Sequence, residues 1–269
     1  MNLIKTLIIS GFGTNSHRET AYAASLAGSD KVEIMHFADL VSLKGRLKDY
    51  QFLIFPGGFL DGDDLGAAQT AAIRWRYLKN ESNIALLDML NEFIYSGGLI
   101  LGICNGFQLL VKLGLLPGLG EKKFVRQVSL APNKSAKFED RWVNLKVNPN
   151  SKCVFTQNLS SLKMPVRHGE GRLVAENQQL LEKLDSENLI ALTYTKPDSI
   201  QPTMEYPYNP NGSVGGIAGL TDPSGHILGL MPHPEAFHHF GNHPKWTRGE
   251  LDTPGTLVFA NAINYLRNN

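Results

Sequence analysis

A chain of 269 residues with 26 Lys+Arg, 25 Asp+Glu and 42% hydrophobic residues has the composition of an ordinary soluble globular protein, with room for one generous α/β core. Its net charge of +1 gives no reason to expect the phosphate attraction of a nucleic-acid binder, and no apolar run approaches the ~18 residues of a membrane helix. Two cysteines, Cys104 and Cys153, make no disulfide framework, and the first apolar run is soon interrupted by Gly11, so free thiols in the cytoplasm and no signal peptide are expected.

Through the first half, short apolar runs ending in glycine alternate with helix-like stretches, the pattern of a parallel sheet flanked by helices. Residues 3–9 read as a strand stopped at Gly11-Phe12-Gly13, residues 16–26 as a helix and 32–37 as a second strand. A third strand, 52–55, is stopped by Pro56-Gly57-Gly58. Helical spacing covers 65–78 and 84–95, where Gly97-Gly98 ends it. Residues 99–103 are apolar at every position, as in a strand buried on both faces. From 124 to 174 the pattern turns β-rich, with good alternation over 143–147 and Pro and Asn between short strands, which suggests an antiparallel lobe. Residues 196–216 read as a loop, and 215–220 with 226–231 as a strand pair around the turn Asp222-Pro-Ser-Gly225. A last helix is expected to start with Thr253 as N-cap and Pro254 at its first position. No linker divides the chain, so 1–269 is read as a single domain.

The chemistry concentrates at Gly102-Ile-Cys104-Asn-Gly106, between the buried strand and a helical stretch. Strand, Gly-x-nucleophile-x-Gly, helix is the pattern of a nucleophile elbow: a sharp turn lifts the side chain out of the sheet, and the glycines give space where a Cβ would collide. A cysteine there also sits at a helix N-terminus, whose partial positive charge favours a thiolate. Cys153 has no such setting. A cysteine nucleophile needs a base and a group to orient it, and Met231-Pro-His233-Pro-Glu235 supplies both types. Pro234 biases His233 towards an extended backbone, which places the side chains of 233 and 235 on one side.

These residues, together with Pro56-Gly-Gly-Phe59, Gly62-Asp63, Leu113-Gly-Leu-Leu-Pro-Gly118, His168-Gly-Glu-Gly171, Asn209-Pro-Asn-Gly-Ser213 and Ile217-Ala-Gly219, resemble the class I (triad) glutamine amidotransferases. Within them, the Asn-Gly-Phe-Gln108 continuation is similar to that of the glutaminase components of phosphoribosylformylglycinamidine synthases. The resemblance spans most of the chain and implies a flavodoxin-like, doubly wound, mainly parallel sheet with an antiparallel extension. It implies that Cys104 attacks the side-chain amide of glutamine, His233 carries the proton and Glu235 orients His233, with the amides of Gly58 and Asn105 as the oxyanion hole. Gln108, Gly57 and His168 would contact glutamine, with His168 and Glu170 at the rim of its pocket or, alternatively, on the surface facing the synthetase. The plain alternatives are a packed helix residue for Gln108, a loop histidine for His168 and a solvated carboxylate for Glu170.

The implied partners are a large formylglycinamidine ribonucleotide (FGAM) synthetase subunit and a small accessory subunit. No cofactor is expected in this chain; ATP and magnesium are expected on the synthetase, because no Gly-x-x-x-x-Gly-Lys-Ser/Thr loop is present here. The chain departs from the commonest family pattern at Leu60-Asp61, where Ser-Tyr is usual, at Ala236, where Arg follows His-Pro-Glu, and at Ser16, where many members carry Cys. His238, His239 and His243 lack a cysteine companion or a His-Glu-x-x-His frame, so a solvated or interface loop is expected there and no metal. The Gly11-Phe-Gly13 turn is a partial dinucleotide fingerprint explained by a plain strand-to-helix turn, and Arg74, Arg76 and Lys79 read as a solvated basic face. Two rival functions are a triad amidotransferase serving another synthetase, and a non-catalytic flavodoxin-like protein that senses oxidation or binds a partner. The second would leave His233 far from Cys104.

Overall fold

The computed structural model describes residues 3–42, 46–120, 124–249 and 252–269. The first half runs β1 (Lys5–Ser10), α1 (His17–Leu26), β2 (Lys31–His36), α2 (Phe37–Ser42), β3 (Phe52–Phe55), α3 (Gln69–Tyr77), α4 (Leu86–Tyr95), β4 (Leu99–Ile103) and α5 (Asn105–Leu113). The second half runs β5 (Val128–Pro132), β6 (Glu139–Val147), β7 (Ser161–His168), β8 (Glu170–Ala175), α6 (Gln178–Ser186), β9 (Ile190–Thr195), β10 (Ile217–Thr221), β11 (Ile227–Leu230) and α7 (Leu257–Asn268).

One nine-stranded sheet has the order β2-β1-β3-β4-β11-β10-β9-β6-β7, and β5 pairs with β8 apart from it. From β2 to β11 every pairing is parallel; from β11 through β10, β9 and β6 to β7 every pairing is antiparallel. The expected flavodoxin-like sheet with an antiparallel extension is therefore found, and the extension continues the same sheet. Every residue of β3, β4, β10 and β11 is buried, as in strands with apolar cover on both faces. In open parallel sheets the strand order reverses at a crevice beyond the carboxyl ends, and here the loops after β1, β3, β4 and β11 meet at that edge.

Several element boundaries differ from expectation. The second strand stops at His36 because Phe37, 1% exposed, opens α2. The third helix begins at Gln69, since Ala68 sits in the left-handed region at φ 59° and interrupts the helical run. The last helix begins at Leu257 with Thr256 before it, three residues beyond the expected Thr253–Pro254 start. Gly255 explains the delay: a Cβ there would come within 2.3 Å of the Pro234 carbonyl oxygen, so the chain is still packing against the His-Pro-Glu segment when a helix at 254 would have turned away. α6 and β9 fall where the sequence pattern marks no element; α6 does begin at a cap, the Asn177 side chain accepting from the Leu180 N–H at 2.9 Å.

Candidate active site

β4 delivers Cys104 and α5 leaves it, with Cys104 at φ 50°, ψ −104°. A positive φ on a residue with a Cβ is strained, and it throws the side chain out of the strand direction. The flanking glycines are required by contact: a Cβ on Gly106 would lie 1.9 Å from the Phe55 carbonyl oxygen, and one on Gly102 2.6 Å from Leu110 Cδ1. The turn is thus wedged between β3 and its own helix. Cys104 is 6% exposed, and its Sγ donates to the Arg167 carbonyl oxygen at 3.6 Å, which brings the end of β7 to the nucleophile.

β11 runs parallel to β4, so the chain beyond it emerges at the same edge. His233 is extended at φ −106°, ψ 90°, its N–H bonded to the Pro165 carbonyl at 2.8 Å, and Pro234 opens a short 3-10 turn that folds Glu235 back. His233 Nδ1 lies 2.6 Å from Glu235 Oε1, with His233 5% and Glu235 1% exposed. Burial alone pulls the His233 imidazole down, but the Glu235 carboxylate and then the neighbouring Cys104 sulfur outweigh it, and the net direction is up. The base is therefore within electrostatic reach of both the nucleophile and the orienting carboxylate. Gly57 occupies the junction: a Cβ there would lie 2.8 Å from His233 Cε1, 2.8 Å from Ser16 Oγ and 3.5 Å from Cys104 Cβ.

A cavity of about 640 Å³ opens over these groups, walled by Gly58, Phe59 and Asp63 after β3, Cys104 and Gln108 on the elbow, Arg167 to Glu170, and His233 and Glu235. Gly58 sits at φ +139°, and a Cβ there would meet Asn15 N at 2.7 Å, because the loops after β1 and β3 are pressed together. Neither the Gly58 N–H nor the Asn105 N–H is spent on a described residue. The Asn105 side chain accepts from the Leu60 N–H at 3.1 Å and donates to Gln108 Oε1 at 3.0 Å; Gln108 Nε2 in turn donates to the Glu170 carbonyl at 2.6 Å. This relay ties the glycine loop, the elbow helix and β8 together. Gln108 faces the cavity with both ends of its amide already bonded inside the protein.

His168 is a buried wall residue, 3% exposed, in place of the loop histidine of the plain alternative. Glu170 Oε2 accepts from the Ala67 N–H at 3.3 Å, and Asp63 nearby is raised by burial and by the Glu170 charge. Sequence reasoning brought Cys104, His233, Glu235, Gly57, Gly58, Asn105, Gln108 and His168 to one place. It passed over Arg167, Phe138 and Asn15, which also wall the cavity, and Asn133 behind His168. Only Arg167 carried a signal, its adjacency to the His-Gly-Glu-Gly run.

Two surface readings hold only in part: His239 and Lys79 are exposed, whereas His243 is buried and His238, Arg74 and Arg76 are half-buried. His243 is 1% exposed: its ring packs against Trp142 and Phe237, and its Nε2 lies 2.9 Å from Asp252 Oδ2. His239 Nδ1 accepts from the Gly241 N–H and closes a short 3-10 turn, and His238 stacks edge-on to Tyr22. Among the described residues no three His, Cys, Asp or Glu side chains converge as metal ligands. Of the supposed solvated basic face, Arg74 pairs with Asp61 and lies over the Phe37 ring, 4.2 Å from its centroid. Arg76 donates to the Lys112, Leu113 and Phe124 carbonyls, satisfying the C-terminal end of α5. The unusual Asp61 thus has an intrachain partner.

The protein-family description that matches is a CobB/CobQ-like glutamine amidotransferase domain, over residues 4–266. A phosphoribosylformylglycinamidine synthase subunit PurQ from Dehalococcoides mccartyi is 44% identical over 269 residues, 99% of both chains. The protein of the same name from Methanococcus maripaludis is 41% identical over 97% of both. Among solved structures, PurLQS from Thermotoga maritima superposes with a TM-score of 0.69 at 28% identity, covering 98% of this chain and 100% of that one. No helix among the described residues is long and apolar enough to cross a membrane. With the elbow cysteine, the His-Glu pair and matches of this length in agreement, the chain belongs to the CobB/CobQ-like glutamine amidotransferase family.

Proposed function

We infer that this chain is the glutaminase component of phosphoribosylformylglycinamidine synthase, an enzyme of purine biosynthesis, and that Cys104, His233 and Glu235 are its catalytic triad. The observation that carries the triad is the position of His233: its Nδ1 is held by Glu235 at 2.6 Å, while its ring and Cys104 meet at Gly57, where a Cβ would lie 2.8 Å from His233 Cε1 and 3.5 Å from Cys104 Cβ.

The chemistry follows from that placement. His233 takes the thiol proton, and the Cys104 sulfur attacks the side-chain carbonyl carbon of glutamine. The oxyanion of the tetrahedral intermediate points to the uncommitted N–H groups of Gly58 and Asn105, which are oriented before charge develops and so need no reorganisation. His233 returns its proton to the amide nitrogen, the C–N bond breaks, and ammonia leaves a thioester on Cys104. Water deprotonated by His233 attacks the thioester, glutamate departs, and the sulfur regains its proton. Glu235 keeps the imidazole in one tautomer throughout and stabilises its charged form.

The ammonia passes to a synthetase subunit that converts formylglycinamide ribonucleotide to FGAM with ATP. The name PurLQS of the Thermotoga maritima structure fits association with partner subunits; we take these to be a large synthetase, which would hold ATP and magnesium, and a small accessory subunit. Released into water, ammonia would be protonated and lost as a nucleophile, so docking of the synthetase is expected to control turnover as well as receive the product. The test is to add candidate synthetase subunits to the purified chain and measure glutamine hydrolysis. Stimulation by an FGAM synthetase and by no other acceptor enzyme supports the reading; stimulation by a different one overturns it.

A further inference from the structure

His168 shows more than its place in the wall. Its ring is 3% exposed, and its Nδ1 lies 3.1 Å from Asn133 Oδ1. The Asn133 amide nitrogen donates to the Lys137 carbonyl at 2.9 Å and to the His168 carbonyl at 2.7 Å, which fixes the oxygen of that amide towards the ring. An oxygen only accepts, so the proton of the neutral imidazole is on Nδ1 and Nε2 is a bare lone pair. That Nε2 is buried and has no hydrogen-bond partner in the protein. Gly171 makes room for the arrangement: a Cβ there would strike the ring at 2.7 Å. The ring cannot readily swap to a charged donor, because burial, and then the charge of His233, hold its pKa down to about 3.

The position in the cavity says which end of the substrate meets this lone pair. The peptide carbonyl joining Arg167 to His168 is the one that accepts from Cys104 Sγ at 3.6 Å, and His233 is near enough for its charge to act on the His168 ring. Asp63 and Glu170, carboxylates suited to an α-ammonium group, line the same cavity. The bare nitrogen therefore belongs beside the reacting carboxamide. On the glutaminase reading above, we propose that His168 Nε2 accepts a hydrogen bond from the carboxamide N–H of glutamine, and then from the ammonia which that nitrogen becomes. Such a partner distinguishes an amide from an ester, whose leaving oxygen has no N–H. It also holds ammonia without protonating it, since it has no proton on that nitrogen to give.

The test is a ratio. In the chain reconstituted with its synthetase partners, kcat/KM is measured for glutamine and for glutamate γ-methyl ester, which forms the same Cys104 thioester with a leaving group that lacks N–H. Losing a hydrogen bond to a substrate group costs roughly 10- to 100-fold, so His168→Leu is expected to lower the glutamine-to-ester ratio by about that factor. A merely structural role would depress both substrates together, and an unchanged ratio overturns the proposal. If the wild-type complex turned over neither substrate, the glutaminase reading itself would fail, a separate result. A second measurement needs no variant: in histidine-15N-labelled wild type, His168 is expected to show an imine-type Nε2 and a protonated Nδ1, and a protonated Nε2 overturns the assignment.

Discussion

Cys104 and Cys153 are both buried, 6% and 0% exposed, and both stand immediately before a helical turn. At Cys153 the backbone is ordinary at φ −55°, the turn Val154–Thr156 is short, and burial, only partly offset by hydrogen bonds to Thr156, Phe155 and Thr221, pushes the thiol up to about 11. At Cys104 the backbone is strained, the helix is α5, a cavity lies above, and a histidine buttressed by a carboxylate is adjacent. What separates a structural thiol from a nucleophile here is the company it keeps, since burial is common to both.

The strongest way to break the comparison is to remove one sulfur. Cys104→Ala should abolish glutamine-dependent synthesis by the reconstituted complex, roughly 10⁴-fold or more, and leave synthesis from added ammonium salt intact. An electrophile such as iodoacetamide should label Cys104 in the wild type and spare Cys153, read by peptide mass spectrometry. Next in size is Glu235→Gln, which keeps the shape but loses the charge that orients and stabilises His233. A fall of roughly 10³- to 10⁴-fold in kcat with little change in KM is expected, and a loss confined to KM would show that Glu235 serves binding alone.

The contrast between the two cysteines was largely legible in the sequence, because its causes are local. A Cβ on Gly102 would strike Leu110 and Gly106 of the elbow's own helix, and Pro234 and Glu235 are neighbours of His233; only the Gly106 contact, with Phe55 of β3, reaches far along the chain. Hidden features depend on partners far along the chain. Asn133, which fixes the His168 tautomer, is 35 residues away, and Trp142, on which His243 packs, lies on β6. Arg74 and Arg76 looked solvated because periodicity reports which residues share a helix face and says nothing of a carboxylate or a carbonyl that another loop brings to that face. The start of α7 was misplaced for the same reason: Thr253-Pro254 is a sound local signal, overruled by the packing of Gly255 on Pro234. The alternation of parallel and antiparallel halves, set by apolar patterning, came through without that loss.

A further prediction, of a few kcal/mol, concerns pH, because the two site histidines are displaced in opposite directions. His168 is held down to about 3 in the folded chain against about 6.5 in an unfolded one, so below pH ~6.5 the unfolded chain takes up a proton the folded chain refuses. Stability from this source is present above pH ~6.5 and is lost as pH falls towards 3, amounting to about 2 kcal/mol by pH ~5. His233 is raised in the folded chain, so its contribution is present below pH ~6.5 and is lost as pH rises through its folded value. Urea unfolding at a series of pH values should therefore show a maximum near pH ~6.5. His168→Leu should flatten the acid side and Glu235→Gln the alkaline side; a profile unchanged by either would separate these groups from the linkage.

The smallest effect tests the quiet half of the comparison. Cys153→Ala removes a sulfur from a fully buried site and leaves a small void, which costs about 1 kcal/mol where the surroundings relax in part. Its neighbours Val154 and Phe155 are buried in the same core, and Asn261 of α7 donates to the Phe155 carbonyl at 3.0 Å, so the loss should appear as a lower denaturation midpoint. Glutamine turnover at saturating partner should match the wild type, because Cys153 is not among the described residues that line the Cys104 cavity. An activity loss in Cys153→Ala, measured well below its melting point, would mean that the two cysteine regions are coupled through α7 and the sheet, and that burial at one governs chemistry at the other.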